Sequence, residues 1–497
     1  MLHTKGDAMT LSRREFLKIP LRKAAPAPVA ASDPDIHFLN RTSWGPRPEE
    51  VQRIRKIGRK AYLEEQLHPE TIDDSAFEKL AAPQLALFNL SKHDILGLDN
   101  PYGRQESVLT ELMILRSVYS KRQLQERMVA FWSDHFNIPL SVDEPADLII
   151  FQREVIRKHA LGKFHDMLLD VVKSPAMLIY LDGAYNVAEH PNENYARELM
   201  ELHTLGVDGG YTEEDIRQAA RALTGWTIHP RTQNGFYFDP DNHDTGPKKV
   251  LGHKMPAGRG IEDGLHLLML VARHPATARY LSFKLCRHFV SDDPPKSLVD
   301  STAQVWRETD GEILPVLRHL FNSQEFYAAV GRKLRRPLAY FIGLLRATGA
   351  RYTESWALEE MLSRLGQKPY GWGPPNGYPD VAEAWITTGG MLERWNAAIF
   401  LTQDIHYGAD DAWGWVSHLH QRIPPPDAAN GPKTAGELVD AVAEQVFGAP
   451  LSGPARTGFL KRLGDATPDA PLTTTDFAKK TPLLMGMMLA SPLYQWS

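Results

Sequence analysis

The chain has 497 residues, of which 43% are hydrophobic and 24% are charged, and its formal net charge at pH 7 is −5. This balance is typical of globular proteins and gives no reason to expect nucleic acid as a partner. The single cysteine, Cys286, excludes internal disulfides and metal sites built from several thiolates. No run reaches the roughly 18 apolar residues that span a bilayer, so no transmembrane segment is predicted.

The N-terminal segment, residues 1–35, has features of an export signal. Residues 12–18 read SRREFLK, which resembles the twin-arginine signal that exports folded proteins. The apolar stretch behind it is short, because Arg22 interrupts it, whereas a signal needs roughly 7–15 apolar residues. Ser12 and Glu15 also have the spacing of a capping box, which would begin an ordinary helix. The segment predicts a periplasmic or secreted protein, with a cytoplasmic protein as the alternative.

Helical periodicity continues along most of the chain. Apolar residues recur at helical spacing in segments 104–136, 144–159, 163–172, 192–205, 212–224, 261–273, 276–290, 312–323, 334–348 and 355–365. Thr212 and Asp215 form a capping box at the start of one of them. The segments 366–381 and 422–434 are rich in Pro and Gly and are predicted loops.

The strand signal is weak, which decides the fold class. Only GFYFDP at 235–240 alternates, and it predicts a short hairpin with residues near 226–230 or 249–253. The sequence therefore predicts a mostly α-helical protein, a multi-helix globular body with at most a short β-hairpin. A main helical domain is expected over 36–421, and a small helical C-terminal unit packed on it over 422–497.

Two conspicuous features are interpreted as structural. Cys286 lies in the apolar segment LSFKLCRHFV, which predicts a small buried side chain and not a nucleophile. The basic run from Arg332 to Arg336 precedes a predicted helix and is interpreted as a surface patch at its start. Neither feature is counted among the candidate site residues.

The segment 192–205, NENYARELMELHTL, raises the main functional question. At 100° per residue, four polar side chains fall on one face of a helix: Asn194, Arg197, Glu198 and Glu201. Most of the apolar side chains fall on the opposite face, so a solvated polar face is the simplest interpretation.

Three features favour a functional interpretation of that face. Glu198 and Glu201 are like charges at i,i+3, which destabilise a solvated helix unless a cation compensates them. Asn192 and Asn194 add oxygen-bearing side chains at the helix start. Leu205 falls on the same face, which indicates that another segment covers it.

A second candidate segment is WSDHF, where Asp134 and His135 end a long predicted helix. The carboxylate can orient the imidazole or share a metal ion with it. The structural alternative is a histidine favoured by the helix dipole.

Two loops complete the candidate residues. DPDNHDTGPK is rich in oxygen-bearing side chains that suit a cation or a substrate hydroxyl, or alternatively a turn built from Asx caps. Its spacing does not match an EF-hand, and it contributes Asp239, His243, Asp244 and Lys248. The other loop contains Trp372, which suits either a sugar-stacking rim or structural aromatic packing.

Several blocks of this sequence resemble the bacterial family called domain of unknown function 1800. They include IHFLNRTSWGPRPEEV at 36–51, FWSDHFNI at 131–138, the long block 192–228 and GPPNGYPDVAEAW at 373–385. The resemblance covers roughly residues 36–497. The resemblance implies a largely helical protein that is exported through the twin-arginine pathway and has a sulfatase-like exported partner protein. The family has no agreed activity.

The absence of familiar motifs narrows the function. Neither GxGxxG nor GxxxxGK[ST] occurs, so no nucleotide cofactor is predicted, and GxSxG and HExxH are also missing. Paired carboxylates, nearby histidines and aromatic loops favour a hydrolase acting on a polymer, with polysaccharide as the preferred substrate. The alternative is a non-catalytic scaffold or a maturation partner of the sulfatase-like protein.

The hydrolase prediction assigns roles to twelve residues. A divalent cation (Ca, Mn, Fe or Zn) is a candidate cofactor, because Glu, Asp, Asn and His suit such ions. The predicted catalytic residues are Glu198, Glu201, His135, Asp134, His243 and Asp244. The predicted substrate-binding residues are Asn192, Asn194, Arg197, Asp239, Lys248 and Trp372.

Overall fold

The structure is a computed structural model that describes residues 33–141, 146–229, 235–349, 356–402, 422–464 and 467–497. The predicted export signal at 12–18 and the predicted domain boundary at 421/422 fall outside or at the edge of these ranges. The described residues form 25 α-helices and two small antiparallel sheets, so the predicted mostly α-helical fold is confirmed.

The helices of the first half are short, apart from two that run through the centre of the body. They are α1 (Pro34–Thr42), α2 (Pro48–Ile57), α3 (Arg59–Leu67), α4 (Ser75–Leu80), α5 (Ala82–Phe88), α6 (Lys92–Leu96), α7 (Pro101–Tyr119), α8 (Gln123–His135), α9 (Asp147–Ile150), α10 (Phe164–Val172), α11 (Pro175–Tyr180), α12 (Glu193–Glu198) and α13 (Glu213–Ala222).

The helices of the second half follow the two hairpins. They are α14 (Glu262–Ala272), α15 (Pro275–Phe289), α16 (Lys296–Glu308), α17 (Ile313–Asn322), α18 (Gln324–Tyr327), α19 (Pro337–Thr348), α20 (Trp356–Leu365), α21 (Thr388–Thr402), α22 (Ala435–Phe447), α23 (Gly453–Arg462), α24 (Thr474–Ala490) and α25 (Pro492–Gln495).

Local sequence signals explain several helix ends. The predicted capping box at α13 is present, since the Thr212 hydroxyl accepts from the Asp215 amide and Asp215 accepts from the Thr212 amide. The predicted segment 104–136 is instead two helices. Ser120 between them is extended and its hydroxyl donates to Asp74 Oδ2 over 2.6 Å, which fixes the turn.

Two helices widen into π-helical turns. Phe151–Arg157 continues α9, and Leu199–Thr204 continues α12. In the second, the Leu205 amide donates to the Met200 carbonyl over 2.9 Å and the Thr204 hydroxyl donates to the Leu199 carbonyl over 2.6 Å. Both contacts join residues five positions apart, and the backbone bond between Leu205 and Met200 has the spacing of a π-helix, which is frequent at functional sites.

Two hairpins lie between α13 and α14. In the first, β1 (Trp226–Ile228) pairs with β2 (Phe236–Phe238), so the predicted hairpin is confirmed with the nearer partner. The second pairs β3 (Lys248–Val250) with β4 (His253–Met255), and the sequence analysis did not predict it. Both strands of that hairpin are three residues long, which is too short for an alternating pattern to be recognised.

The core runs through both halves of the chain. It is one continuous cluster of buried side chains that includes residues from α1 as well as from α24. The C-terminal helices join it directly, because Gln445 donates to the Ala347 carbonyl and the Tyr340 hydroxyl donates to the Leu489 carbonyl. Cys286 is fully buried in this core, as predicted. No helix of the described ranges is long and apolar enough to cross a bilayer.

Candidate functional site

Arg197 is the centre of an acidic cluster at the junction of α12 and α13. Its guanidinium donates to Glu213 on α13 over 2.7 and 3.0 Å. It also contacts Glu193 at 3.3 Å and Glu201 at 3.4 Å, one helical turn before and after it. Arg197 therefore holds three carboxylates and ties the two helices together, and its predicted substrate contact stays a prediction.

Glu198 is the exception in this acidic cluster. It is half-buried, and no hydrogen bond of its carboxyl group to a described residue is present. Burial and the neighbouring carboxylate of Glu201 raise its pKa, and Arg197 only partly opposes this shift. Glu198 and Glu201 are thus two carboxyl groups in different environments, which is the arrangement that separates an acid from a base.

Asn192 and Asn194 serve the helix start. The Asn192 side chain accepts from the Asn194 amide over 2.9 Å and caps α12. The Asn194 side chain donates to Asp182 over 3.1 Å. These contacts give both residues a structural role, and their predicted substrate contacts stay a prediction.

Asp134 lies at the end of α8 and faces the segment that precedes α19. Arg336 donates to its Oδ2 over 2.7 Å. Burial raises the pKa of Asp134, and the positive charge of Arg336 counteracts this. Gly377, with a φ of +70°, packs so closely against the Asp134 carbonyl that a side chain there would overlap it. The helix end is therefore joined both to Arg336 and to the loop around Gly377.

His135 connects α8 to the π-helical turn. Its Nε2 donates to the His203 carbonyl over 3.1 Å, and its Nδ1 accepts from Lys284 over 2.9 Å. Burial, with the charge of Lys284, holds the pKa of His135 well below its ordinary value, so the ring is neutral. Burial lowers the pKa of Lys284 to about 8. The imidazole that the sequence predicts as catalytic is therefore buried behind the π-helical turn.

Sequence reasoning missed the network around Asp380, which consists of Asp380, His288, Lys333 and Arg336. His288 Nδ1 donates to Asp380 Oδ2 over 2.9 Å, and Lys333 Nζ and Arg336 Nε lie 2.9 and 3.7 Å from Oδ1. Burial opposes ionisation, but the two cations outweigh it and hold the pKa of Asp380 well below its ordinary value. In the sequence, the members of this network are single residues far apart, and no spacing marks them as a group.

The interpretation of the basic run as a surface patch is wrong. Lys333 and Arg335 are each only 7% exposed, and Arg336 is used in the Asp380 network. Arg335 donates to the Tyr494 carbonyl and to Asn40. Arg332 alone is exposed. The other three cations are shielded from water, and carboxylates and carbonyl oxygens from distant segments meet them, which offsets the cost of removing their charges from water.

The loop over 366–381 joins the regions around Asp134 and Glu198. Asn137 donates to the carbonyls of Trp372 and Pro374 over 2.8 Å each. On the other side, the Tyr180 hydroxyl donates to the Gly373 carbonyl over 2.5 Å. Burial, with the charge of the nearby Glu198, raises the pKa of Tyr180 to about 12. Contacts therefore continue from Asp134 through this loop to the surroundings of Glu198.

Trp372 lies in this loop with a partly exposed ring. Its Nε1 donates to Asn376 over 2.8 Å, and its ring centroid is 5.0 Å from that of Tyr378. Trp385 continues the row at 6.0 Å from Tyr378. The rings pack on one another, as in the structural interpretation of the sequence, and sugar stacking by Trp372 stays a prediction.

The aspartate-rich segment forms a separate network. Arg221 pairs with Asp244 over 2.6 and 3.1 Å, and Lys248 donates to Asp263 over 2.7 Å. His243 Nδ1 donates to the Thr224 carbonyl over 2.7 Å. Asp239 accepts from residues 241 and 242 in an Asx-type turn, the structural alternative raised by the sequence.

The acidic cluster around Arg197 and the network of the aspartate-rich segment lie at opposite ends of α13. Glu213 at its start holds Arg197, whereas Arg221 near its end holds Asp244, and eight residues of helix separate them by about 12 Å. Among the described residues, no hydrogen bond or ion pair joins Glu198 or Glu201 to Asp239, His243, Asp244 or Lys248. The candidate site therefore comprises Glu198, Glu201, Tyr180 and the 366–381 loop, supported by Asp134 and His135.

A metal centre is not evident from the arrangement of the described side chains. No group of three or more His, Cys, Asp or Glu in the described ranges has the geometry to hold an ion. The divalent cation stays a prediction.

Comparison with known proteins places the chain in a family. Residues 37–496 match the family described as "Protein of unknown function (DUF1800)". The chain belongs to this family. No curated protein and no solved structure matched it. The family description assigns no activity, so the match by itself supports neither a hydrolase nor a partner-binding role.

The Asp380 network makes a testable prediction about stability. Replacing Asp380 by Asn removes the carboxylate that Lys333 and Arg336 share and leaves them only Asp292 and Asp134 as counter-charges, so the free energy of unfolding is expected to fall by about 2 kcal/mol. Asp300→Asn is the control, because Asp300 pairs with Lys296 and Arg279 at the surface. Urea unfolding followed by circular dichroism measures both. Equal midpoints for the two variants would show that the network does not stabilise the fold.

The environment of Glu198 makes a prediction about pH. Its pKa in the folded protein lies above the ordinary value of 4.5, so the folded state keeps the proton longer than the unfolded chain does. The free energy of unfolding therefore falls as pH rises from the pKa of Glu198 in the unfolded chain to its higher pKa in the folded protein. Glu198→Gln removes this loss, and its melting temperature should exceed that of the wild type at neutral pH but not below pH 4.5.

Glu213→Gln is the matched control of opposite sign. The hydrogen bond from Arg197 lowers the pKa of Glu213, so its contribution is present at neutral pH and lost on acidification. The melting temperature of Glu213→Gln should therefore be lower than that of the wild type at neutral pH and equal to it in acid. Melting curves across pH that coincide for wild type and Glu198→Gln would contradict the assigned environment.

Proposed function

We propose that the protein is a hydrolase that acts on a polymer, with polysaccharide as the substrate class. The supporting observation is the contrast between Glu198 and Glu201. Glu198 has a raised pKa and no hydrogen-bond partner among the described residues, which suits a general acid. Glu201 instead has Arg197 at 3.4 Å, a contact that Glu198 lacks, and we assign it the role of base or nucleophile.

The aromatic surroundings support a sugar as the substrate. Tyr180 lies beside Glu198 and donates to the loop that contains Trp372. Tyr211 interacts with Glu201, and this carboxylate together with burial raises the pKa of the phenol to about 12. Partly exposed rings next to carboxyl groups offer flat apolar surfaces for the faces of sugar rings, with the polar groups at their edges.

Asp134 and His135 are proposed as positioning residues and not as groups that touch the substrate. His135 donates to the carbonyl of His203 within the π-helical turn that carries Glu201. Asp134 packs against Gly377 in the loop that Tyr180 contacts. Both act on the carboxyl pair and the aromatic rings through the backbone.

The test is a substitution series with a shared readout. Glu198→Gln and Glu201→Gln should each reduce glycan hydrolysis at least about 100-fold, since each removes a proton donor or acceptor of the reaction. Glu214→Gln is the control, because Glu214 is an exposed carboxylate on the neighbouring helix that pairs with Arg217. Reducing-end release from a panel of polysaccharides measures activity, and circular dichroism confirms folding.

A second function is favoured by a specific observation. Arg197 joins three carboxylates across two helices and so fixes the arrangement of charges on this face. A fixed arrangement of charges suits a surface that binds another protein. A scaffold or maturation partner of a sulfatase-like protein would use this face for binding. In that case no polysaccharide of the panel is hydrolysed by the wild type, and the substitutions weaken capture of the co-expressed partner instead.

Export through the twin-arginine pathway is part of the proposal. It is supported by Arg13 and Arg14 in SRREFLK, which lie outside the described residues. Fusing residues 1–35 to a reporter protein should direct it to the periplasm, and replacing both arginines by lysine should retain it in the cytoplasm. If both fusion proteins are found in the same compartment, the export proposal is contradicted.

A further inference from the structure

A small polar cavity lies between α1, α8 and the segment before α19, away from Glu198. Its volume is about 30 Å³, which is room for roughly two water molecules or one small ion. Five cationic side chains line it, whereas Asp380 is the only carboxylate side chain in its lining: Arg41, Arg127, Lys333, Arg335 and Arg336. The cavity is therefore surrounded mainly by positive charge.

The charges around the cavity do not balance. Asp134, Asp292 and Asp380 form ion pairs there with the cations Arg336 and Lys333. His288 also contacts Asp380 but adds no charge, because burial lowers its pKa to about 3. A terminal carboxylate at Ser497, whose main-chain oxygen accepts from Arg41, would raise the negative charges to four against five cations. At least one positive charge stays uncompensated in either case.

Unused hydrogen-bond donors lie at the same place. Arg41 is 2% exposed, and its Nε and Nη1 have no partner in the part of the chain that the structure describes, while its Nη2 donates to the carbonyls of Ala329 and Ser497. The buried Nε of Arg127 is also without a partner. A buried donor without an acceptor is costly, and a guanidinium does not lose its proton to avoid that cost.

Arg346 provides the comparison within the same chain. It is 1% exposed, but it donates to both oxygens of Glu50 and to the carbonyls of Gly45 and Val118. Arg346 is thus satisfied at all three of its nitrogens by the protein itself. Arg47 and Arg394 each keep one buried nitrogen without an acceptor among the described residues, whereas Arg41 and Arg127 keep three between them and both line one cavity.

Electrostatic repulsion among the arginines that line the cavity also indicates that a negative charge is missing there. Burial and the charges of Arg335 and Arg127 lower the pKa of Arg41 to about 9. Burial and the charge of Arg336 lower the pKa of Arg127 to about 9 as well. The opposite charges that act on these two arginines are already used elsewhere: Asp292 pairs with Lys333, and Asp380 is shared by Lys333, Arg336 and His288.

We propose that this cavity binds one small inorganic oxyanion, such as phosphate or sulfate, through Arg41 and Arg127. An oxyanion offers several acceptor oxygens to guanidinium groups in charge-assisted hydrogen bonds, and it supplies the missing negative charge. The ion would hold α1 and α8 against the segment before α19, which also supplies two members of the Asp380 network.

Isothermal titration calorimetry of the extensively dialysed full chain with inorganic phosphate, and separately with sulfate, tests this inference. One saturable site is expected for at least one of the two ions, and chloride at matched ionic strength should not occupy it. Arg41→Lys and Arg127→Lys keep the charge but lose the unpartnered donors, so each should weaken binding about tenfold or more. Arg217→Lys is the control, since Arg217 is exposed and pairs with Glu214.

A cavity-filling variant covers the case in which the arginine variants do not fold. Ala339 lines the cavity from α19, and Ala339→Leu leaves every cation in place while it occupies the space. It should abolish the saturable heat. Absence of saturable phosphate and sulfate binding to the wild type would overturn the inference. Wild-type affinity in the arginine variants or in Ala339→Leu would overturn it too, as would saturation by chloride alone.

Discussion

The contact between Asp380 and the two cations before α19 is the constraint on which the site depends. Lys333 and Arg336 belong to one segment and His288 to α15, so one carboxylate joins three regions that are far apart in the sequence. Arg336 extends the contact to Asp134 at the end of α8. Because an unpaired buried charge costs several kcal/mol, the 366–381 loop is held in one position. Its distance from Glu198 is then set by Tyr180, which donates to Gly373.

Most helices could be predicted from the sequence because their signals are local. The predicted segment 163–172 is the helix Phe164–Val172, and 261–273 is Glu262–Ala272. Apolar spacing fixes the buried face, and capping boxes such as Thr212–Asp215 fix the start. The break at Ser120 was missed because the acceptor of its hydroxyl is Asp74, 46 residues away. A contact over that distance leaves no periodic pattern.

The candidate site could be predicted only in part, and the π-helical turn shows why. A wheel at 100° per residue put Glu201 and Leu205 on one polar face with Glu198. The wider turn from Leu199 to Thr204 changes the angle of every later residue, and Leu205 is buried. Lys284 and Asp380 were also missed, because nothing near them in the sequence distinguishes them from ordinary surface charges. Only the tertiary fold brings them to His135 and His288.

The buried arginines follow one physical rule. Helices that end inside the protein leave carbonyl oxygens without partners, and a guanidinium carries five donors that can reach several of them. Arg346 does this for the end of α7 through the Val118 carbonyl. Arg394 donates in the same way to the Arg335 carbonyl, in the segment before α19. Each arginine is affordable where acceptors match its donors. Arg47 and Arg394 each leave one buried nitrogen without an acceptor among the described residues, whereas Arg41 and Arg127 together leave three beside one shared cavity. An acceptor from outside the chain, bound in that cavity, would satisfy these donors together.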